Sequence, residues 1–248
     1  MKSFKYDGLD LFYKQADHLI SLTEVLLLDT YRADLLKKDD TVVDLGAGIG
    51  DFSVFASRKV GPNGKVIALE PHVEDYEMLK MNVERNGCVN VIALNIGVAE
   101  PGEKEISFWG RKYSFMTDTP ENLLARKEIK KIDFVKMDIE GFELEVIKNS
   151  FRTIGQADVI SIELHRTKDK VDRMLRPRFV FRHTASRRAC EKFISSLLAH
   201  PRAVLEVLLF TASLHPKILH MRINQTREKN CLITGTYVKP EGRIVTIQ

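Results

Sequence analysis

The stretch that decides the fold is residues 41–53, TVVDLGAGIGDFS. An apolar strand ends with an acidic residue and a leucine, three glycines follow at every second position, and a helix begins after them. This order predicts a loop on which a small cofactor lies directly against the backbone. The spacing differs from the G-x-G-x-x-G fingerprint, whose last glycine leaves a bare helix N-terminus for a pyrophosphate.

Two carboxylates replace that phosphate-binding arrangement. Asp51 stands at the position of the fingerprint's last glycine, and Asp44 precedes the loop. Negative charge here repels a phosphate and favours a cation, so we predict S-adenosylmethionine, with its sulfonium and amino groups, over a nicotinamide dinucleotide. The predicted cofactor contacts in this stretch are Asp44, Gly46, Ala47, Gly48 and Gly50.

The second mark is an acidic residue after the next strand. Residues 65–69, KVIAL, are followed by Glu70 and Pro71, about 20 residues beyond the loop, where a carboxylate accepts hydrogen bonds from a ribose diol. A surface glutamate at a strand end is the alternative. Asn95 and Ile96 follow the third strand, and we predict contacts with the adenine; a simple strand-end turn is the alternative.

Strands alternate with helices through residue 165, which predicts an α/β fold with a doubly wound, Rossmann-like parallel sheet. Right-handed crossovers place the carboxyl ends of its strands on one edge, where such sheets bind ligands. We predict an N-terminal helical segment over residues 1–40, a cofactor-binding core over 41–165, and a basic helical insertion with the final strands of the same domain over 166–248. Residues 105–109 are predicted to form a short strand or hairpin arm.

Bulk composition indicates an ordinary soluble domain. Three cysteines without C-x-x-C spacing favour a reducing cytoplasm over a disulfide framework or zinc site, and we expect neither a secretory signal nor a membrane span. The formal charge of +4 combines −7 up to residue 165 with +11 beyond it. This asymmetry indicates either a surface for an anionic partner or a solvated face. The oligomeric state stays open.

Five segments together resemble the FkbM family of S-adenosylmethionine-dependent methyltransferases: VVDLGAGIGDFS, VIALEP, NVERNG, FVKMDIEGFELEVI and ISIELH. The most specific is KMDIEGFE at residues 136–143, close to the family pattern K-x-D-x-E-G-x-E. The resemblance implies a class I methyltransferase sheet of seven strands whose last strand is antiparallel, and residues 231–238 fit that strand. It also implies O-methylation of hydroxyls on sugars, glycans or polyketide products.

An alcohol is a weak nucleophile, so a base at the strand ends would assist methyl transfer. The candidates are Asp138, Glu140 and His165, with Glu163 two residues before His165 on the same face of its strand. For Asp138 the alternative is capping of the following helix. Glu143 falls in the first turn of that helix, where the dipole alone favours an acid, and a structural role is preferred for it. Magnesium held by Asp138 and Glu163 is conceivable, but we predict no metal.

The leading hypothesis is therefore an O-methyltransferase with a small-molecule or glycan acceptor, possibly an anionic one. An RNA methyltransferase is the alternative, because residues 166–188 carry nine Lys or Arg against two Asp. Against this alternative, the sequence has no N-P-P-[YF] tetrad, the motif of amino-directed nucleic-acid methyltransferases. A non-catalytic cofactor-binding protein is the third reading. Tyr31, Trp109 and Tyr113 are candidate acceptor-side aromatics, with core packing as the alternative.

Overall fold

The computed structural model describes residues 1–108, 111–165, 167–183, 186–213 and 232–240. Its strands are β1 (Lys2–Tyr6), β2 (Leu9–Tyr13), β3 (Thr41–Leu45), β4 (Lys65–Leu69), β5 (Val91–Leu94), β6 (Gly97–Val98), β7 (Gly102–Phe108), β8 (Arg111–Asp118), β9 (Phe134–Met137), β10 (Val159–His165), β11 (Val180–His183) and β12 (Leu232–Val238). Its α-helices are α1 (Ala16–Leu22), α2 (Asp51–Val60), α3 (Val73–Arg85), α4 (Pro120–Arg126), α5 (Glu143–Ile154), α6 (Lys168–Leu175), α7 (Ser186–Ala199) and α8 (Pro201–Ser213).

The central sheet has seven strands in the order β11-β12-β10-β9-β3-β4-β5. Strands β10, β9, β3, β4 and β5 pair in parallel, and β12 runs antiparallel to both β10 and β11. The predicted doubly wound, mostly parallel sheet with an antiparallel last strand is confirmed. Strands β11 and β12, both beyond residue 165, lie in the same sheet as β3, the strand that precedes the glycine loop.

Helices cover both faces of the sheet because neighbouring strand residues project to opposite sides. Val42 of β3 packs in a core with residues of α1, α2, α3 and α8, whereas Val43 packs in a second core with residues of α4, α5 and α6. Phe134 and Val135 of β9 divide in the same way. Such strands are buried on both faces, and this explains their continuous apolar sequence.

The prediction of a helical segment over residues 1–40 is wrong for its first 13 residues. Strands β1 and β2 form an antiparallel hairpin around Asp7 and Gly8, which have φ angles of 47° and 75°. Asp-Gly is the preferred pair for such a tight turn because both positions need positive φ. The apolar residues on either side alternate and are buried, which is a strand period rather than a helix period. Helix α1 begins only at Ala16, and a π-helix (Thr23–Leu27) and a 3-10 helix (Ala33–Leu35) follow.

A second hairpin extends the predicted arm near residue 105. Strands β7 and β8 pair antiparallel, and β6 adds to β8 in a separate three-stranded sheet. Helix α4 then starts at Pro120, with the Thr119 side chain accepting a hydrogen bond from the backbone N–H of Asn122. Across the described ranges, every helix is too short or too polar to cross a membrane.

Candidate active site

The carboxyl ends of β3, β4, β9 and β10 meet at one edge of the sheet. They place the glycine loop, Glu70, Asp138 and His165 along that edge, as the parallel strand order requires.

The glycine loop is held by backbone contacts on its inner side. The N–H groups of Gly46 and Ala47 donate to the Leu69 carbonyl at 3.0 and 2.9 Å. Gly46 has a φ of +75°, and a Cβ there would lie 1.8 Å from the Asp138 carbonyl oxygen. Gly48 has a φ of +52°, but a Cβ there would meet nothing within 4 Å. The loop is therefore packed on the β9 side and open at Gly48, so the space beside Gly48 fits a ligand lying on backbone.

Glu70 borders this open space. Its carboxylate accepts hydrogen bonds from the N–H groups of Gly48 and His72, both at 2.7 Å, and burial raises its pKa to about 7. The Asn95 side-chain amide donates to the carbonyl oxygens of Glu70 and Pro71 at 2.9 and 3.1 Å. Asn95 thus braces the turn after β4, while half-buried Ile96 packs against the core.

Asp44 and Asp51, the two acids predicted to favour a cationic cofactor, lie beneath the loop. Asp44 is fully buried, accepts from the Ser53 hydroxyl at 2.6 Å and lies 3.2 Å from Nζ of Lys136. Asp51 is buried and accepts from the Ser21 hydroxyl at 2.6 Å. Both carboxylates therefore have partners within the protein.

Lys136 is the buried cation that sequence reasoning did not single out as a site residue. Its Nζ donates to the Gly46 carbonyl and lies 5.1 Å from the centroid of the Tyr31 ring. Burial works to lower the pKa of Lys136, but the charges of Asp44, Asp138 and Asp51 outweigh it and raise that pKa above its ordinary value. The available sequence cue was a lysine inside the otherwise apolar strand β9.

Tyr31 joins two of the predicted catalytic acids. Its hydroxyl oxygen lies 2.8 Å from Oδ2 of Asp138 and 2.8 Å from Oε2 of Glu163. One phenol hydrogen serves only one of them, so the second contact requires a proton on a carboxyl group. Burial, together with the charges of Asp138 and Glu24, raises the pKa of Glu163 well above its usual value. The Tyr31 hydroxyl thus bridges the carboxyl groups of Asp138 and Glu163.

The capping alternative for Asp138 has no counterpart in this geometry. Helix α5 has Phe142 as its N-cap residue, without a side-chain capping bond. Tyr31 is buried, so it contacts Asp138 from the side of the protein interior. Tyr113 is half-buried and meets the His72 ring edge-on at 4.8 Å, and Trp109 lies outside the described residues.

His165 ends β10 and contacts two of the predicted acids. Its Nδ1 lies 2.8 Å from Oε1 of buried Glu143, and its Nε2 lies 3.4 Å from Oε2 of exposed Glu140. Glu143 also accepts from the Gly141 N–H and the Thr167 hydroxyl, consistent with the structural role preferred for it. Burial lowers the pKa of His165, but the Glu143 hydrogen bond and the neighbouring carboxylates outweigh it and raise the pKa to about 9.

Asp138, Glu140 and His165 form one cluster: each contributes an oxygen or nitrogen atom within 4.8 Å of the others. The structure thus brings together all three predicted catalytic residues. The predicted cofactor residues lie beside them, with Asp44 beneath the loop and Gly48 at its open side.

The sheet order and the glycine loop at its edge define a class I methyltransferase fold. The sequence matches the methyltransferase FkbM domain over residues 44–188, and the chain belongs to that family. The cofactor of this family is S-adenosylmethionine, which confirms the cofactor prediction.

Individual relatives are more distant. The hexuronic acid methyltransferase AglP of Haloferax volcanii is 27% identical over 150 residues, covering 55% of this chain and 60% of that protein. A tRNA (adenine(58)-N(1))-methyltransferase catalytic subunit of Yarrowia lipolytica is 36% identical over 67 residues, covering 27% of this chain and 17% of that one. The crystal structure of methyltransferase FkbM from Methylobacillus flagellatus is 24% identical with a TM-score of 0.48, covering 62% of this chain and 43% of that one. The chain spans less than two thirds of these relatives' lengths.

Proposed function

We propose that this chain transfers the methyl group of S-adenosylmethionine to a hydroxyl of a sugar, glycan or other small metabolite. The observation that carries the proposal is the position of Asp138. It follows β9 directly, its carbonyl packs on Gly46, and its half-buried carboxylate accepts a hydrogen bond from Tyr31. A proton acceptor therefore lies beside the loop that receives the cofactor, which is what an alcohol acceptor requires.

The cofactor would lie across the open side of the glycine loop. Gly48 leaves the space, ionised Glu70 would accept hydrogen bonds from the ribose hydroxyls, and the turn from Glu70 to Pro71 is braced by Asn95. We propose backbone contacts from residues 46–50 and an adenine contact at Ile96. Asp44 would contribute by fixing the loop through Ser53 and Lys136.

The reaction is an in-line displacement at the methyl carbon. The acceptor oxygen forms a bond to carbon, the carbon–sulfur bond breaks with its electron pair leaving on sulfur, and Asp138 takes the hydroxyl proton. His165 with a pKa of about 9 carries a proton at neutral pH and is a poor base in that state. Glu140 is exposed and belongs to the same cluster.

The acceptor class is supported by the likeness to a hexuronic acid methyltransferase, together with the positive balance beyond residue 165. A uronic acid is an anionic sugar, so both observations favour the same chemistry. In helix α6, part of that charge is neutralised internally, because Asp172 pairs with both Lys168 and Arg176.

The test is methyl transfer from radiolabelled S-adenosylmethionine to uronic acid-containing oligosaccharides, neutral oligosaccharides and RNA. We expect label in the uronic acid fraction, and a fall in kcat of about 10²- to 10⁴-fold for Asp138→Asn with cofactor affinity retained. Asp158→Asn is the matched control, because Asp158 precedes β10 at the opposite edge of the sheet. Nuclease-sensitive label would replace this proposal by the RNA reading. Cofactor binding without label on any acceptor class would favour a binding protein.

A further inference from the structure

The cluster at the ends of β9 and β10 has the composition and support of a metal site. Two carboxylates and one imidazole supply oxygen and nitrogen ligands, and their ligand atoms lie within 4.8 Å of one another. We propose that Asp138, Glu140 and His165 bind one divalent transition-metal ion, of the kind represented by Mn²⁺ or Zn²⁺. The imidazole favours these ions over Mg²⁺, which prefers oxygen ligands and bound water. This site differs from the Asp138–Glu163 pair considered from sequence, because Tyr31 occupies the facing oxygens of that pair.

The distance between two of the ligand atoms fits a shared ion. Nε2 of His165 and Oε2 of Glu140 are 3.4 Å apart, longer than the roughly 2.9 Å of an N–H···O hydrogen bond. Two ligands held about 2.1 Å from one ion at tetrahedral or octahedral angles lie roughly 3.0–3.4 Å apart. The pair is thus spaced as neighbouring ligands.

Two of the ligands, His165 and Asp138, are each oriented by a hydrogen-bond partner outside the cluster. Buried Glu143 contacts Nδ1 of His165 at 2.8 Å, which holds a hydrogen on Nδ1 and makes Nε2 the ligand atom once an ion displaces its proton. Tyr31 donates to Oδ2 of Asp138, which leaves Oδ1 for the ion. A carboxylate behind a histidine and a donor behind a ligating carboxylate are the usual outer shell of protein metal sites.

The third ligand is presented by an unusual backbone conformation. Glu140 has a φ of +53°, a left-handed conformation that costs a non-glycine residue about 1–2 kcal/mol. With this turn, Oε2 of Glu140 lies 3.4 Å from Nε2 of His165. Strain retained at a place where three ligand groups converge is consistent with a functional constraint.

The role of the ion in catalysis rests on the proposed function. An ion held by Asp138, Glu140 and His165 would supply Lewis-acid activation of the acceptor hydroxyl. With an ion bound, Asp138 would serve as a ligand, and the hydroxyl proton would pass to solvent instead of to Asp138. An acceptor with a second oxygen next to the methylated hydroxyl, such as a sugar diol or hydroxy acid, would chelate the ion and be preferred. The binding site itself is testable without any methyl transfer.

The experiment is titration of the full chain with Mn²⁺, following free Mn²⁺ by electron paramagnetic resonance. We expect one ion per chain, at least tenfold weaker binding in His165→Ala and Glu140→Gln, and about 10- to 100-fold weaker binding in Glu143→Gln. His200→Ala is the matched control, since His200 lies against Tyr6, away from this cluster, and its substitution leaves the site intact. Glu140 is exposed, so its variant keeps the test valid if the buried substitutions fail to fold.

Absence of bound Mn²⁺ and Zn²⁺ at millimolar concentrations, or binding unchanged in both His165→Ala and Glu140→Gln, would overturn the site. The two proposals fail separately. Methyl transfer at full rate in a chelator, with no ion bound, sinks the metal site and keeps the methyltransferase. Ion binding that depends on His165 and Glu140, without methyl transfer to any acceptor class, keeps the site and sinks the methyltransferase.

Discussion

The glycine loop and the acidic cluster lie at the same sheet edge but are built in opposite ways. The loop is the continuous stretch of residues 46–50. It is positioned by backbone hydrogen bonds and by the absence of side chains at residues 46, 48 and 50. The cluster of Asp138, Glu140 and His165 is assembled from side chains on two strand ends, and Tyr31 contacts Asp138 from a third, distant segment. The difference implies separate tasks: variants of the loop should change cofactor affinity, and variants of the cluster should change kcat.

The largest expected effect comes from Gly46, where the loop packs against Asp138 of the cluster. In Gly46→Ala, the new Cβ would overlap the Asp138 carbonyl at a φ of +75°, so the loop and the strand end must separate. We expect the free energy of unfolding to fall by more than about 2 kcal/mol, with cofactor binding and methyl transfer both lost. Thermal unfolding and titration calorimetry measure the two effects.

Gly48→Ala is the matched control for this comparison. Its Cβ meets no protein atom within 4 Å, and the left-handed φ of +52° costs about 1–2 kcal/mol. We expect a folded protein that binds the cofactor at least tenfold more weakly, because the methyl group occupies the ligand's space. If Gly48→Ala bound the cofactor normally, the open side of the loop would not be the cofactor site.

The contrast between a continuous loop and a cluster assembled from distant segments also explains which features the sequence could predict. The loop, Glu70 and the sheet order follow from local patterns, because a strand, a glycine spacing and a strand-end acid are continuous in sequence. The acids of the cluster were also identified, since parallel strand ends must converge. Their partners were not: Tyr31 contacts Asp138 across 107 positions of sequence, and no local pattern encodes that distance.

The N-terminal error has a different cause. The apolar residues between positions 11 and 27 have mixed helical spacing and predict helix, whereas the Asp7-Gly8 turn and the alternation around it encode a hairpin. The buried face of the hairpin belongs to the same core as α2 and α3, so tertiary packing stabilises it. The electrostatic argument was also incomplete, because Lys136 neutralises part of the charge assigned to Asp44.

A smaller effect is expected from the residue that orients the cluster. Tyr31→Phe removes the hydrogen bond to Asp138 but leaves the ring in place, so we expect kcat to fall about tenfold with the cofactor dissociation constant within threefold of the original. Unfolding free energy should fall by about 1–3 kcal/mol, because half-buried Asp138 and buried Glu163 lose a partner. Steady-state kinetics and chemical denaturation separate the two consequences.

Tyr237→Phe provides the comparison for that variant. Tyr237 is also a buried tyrosine, and its hydroxyl donates to Asp172, outside the cluster. It should lower stability to a similar extent and leave kcat unchanged. A comparable loss of kcat in both variants would mean that Tyr31 acts through stability alone.

The smallest expected effect comes from Glu70, the titrating carboxylate that borders the open side of the loop. Burial raises the pKa of Glu70 to about 7, and its ionised form is the acceptor for ribose hydroxyls. Affinity for S-adenosylmethionine should therefore rise by up to about tenfold between pH 6 and pH 8, as the carboxyl group loses its proton. Titration calorimetry across this range measures the change.

Stability of the cofactor-free chain should move the other way. Because the folded-state pKa of Glu70 lies above its ordinary value of 4.5, the proton is bound more tightly in the folded chain. This contribution to stability is fully present below pH 4.5 and is lost as the pH rises through 7. Glu70→Gln should remove both trends, since its amide does not titrate. Opposite slopes in the original protein, both flattened in the variant, would assign the pH dependence to Glu70. An affinity slope that survives Glu70→Gln would place the titrating group outside the loop.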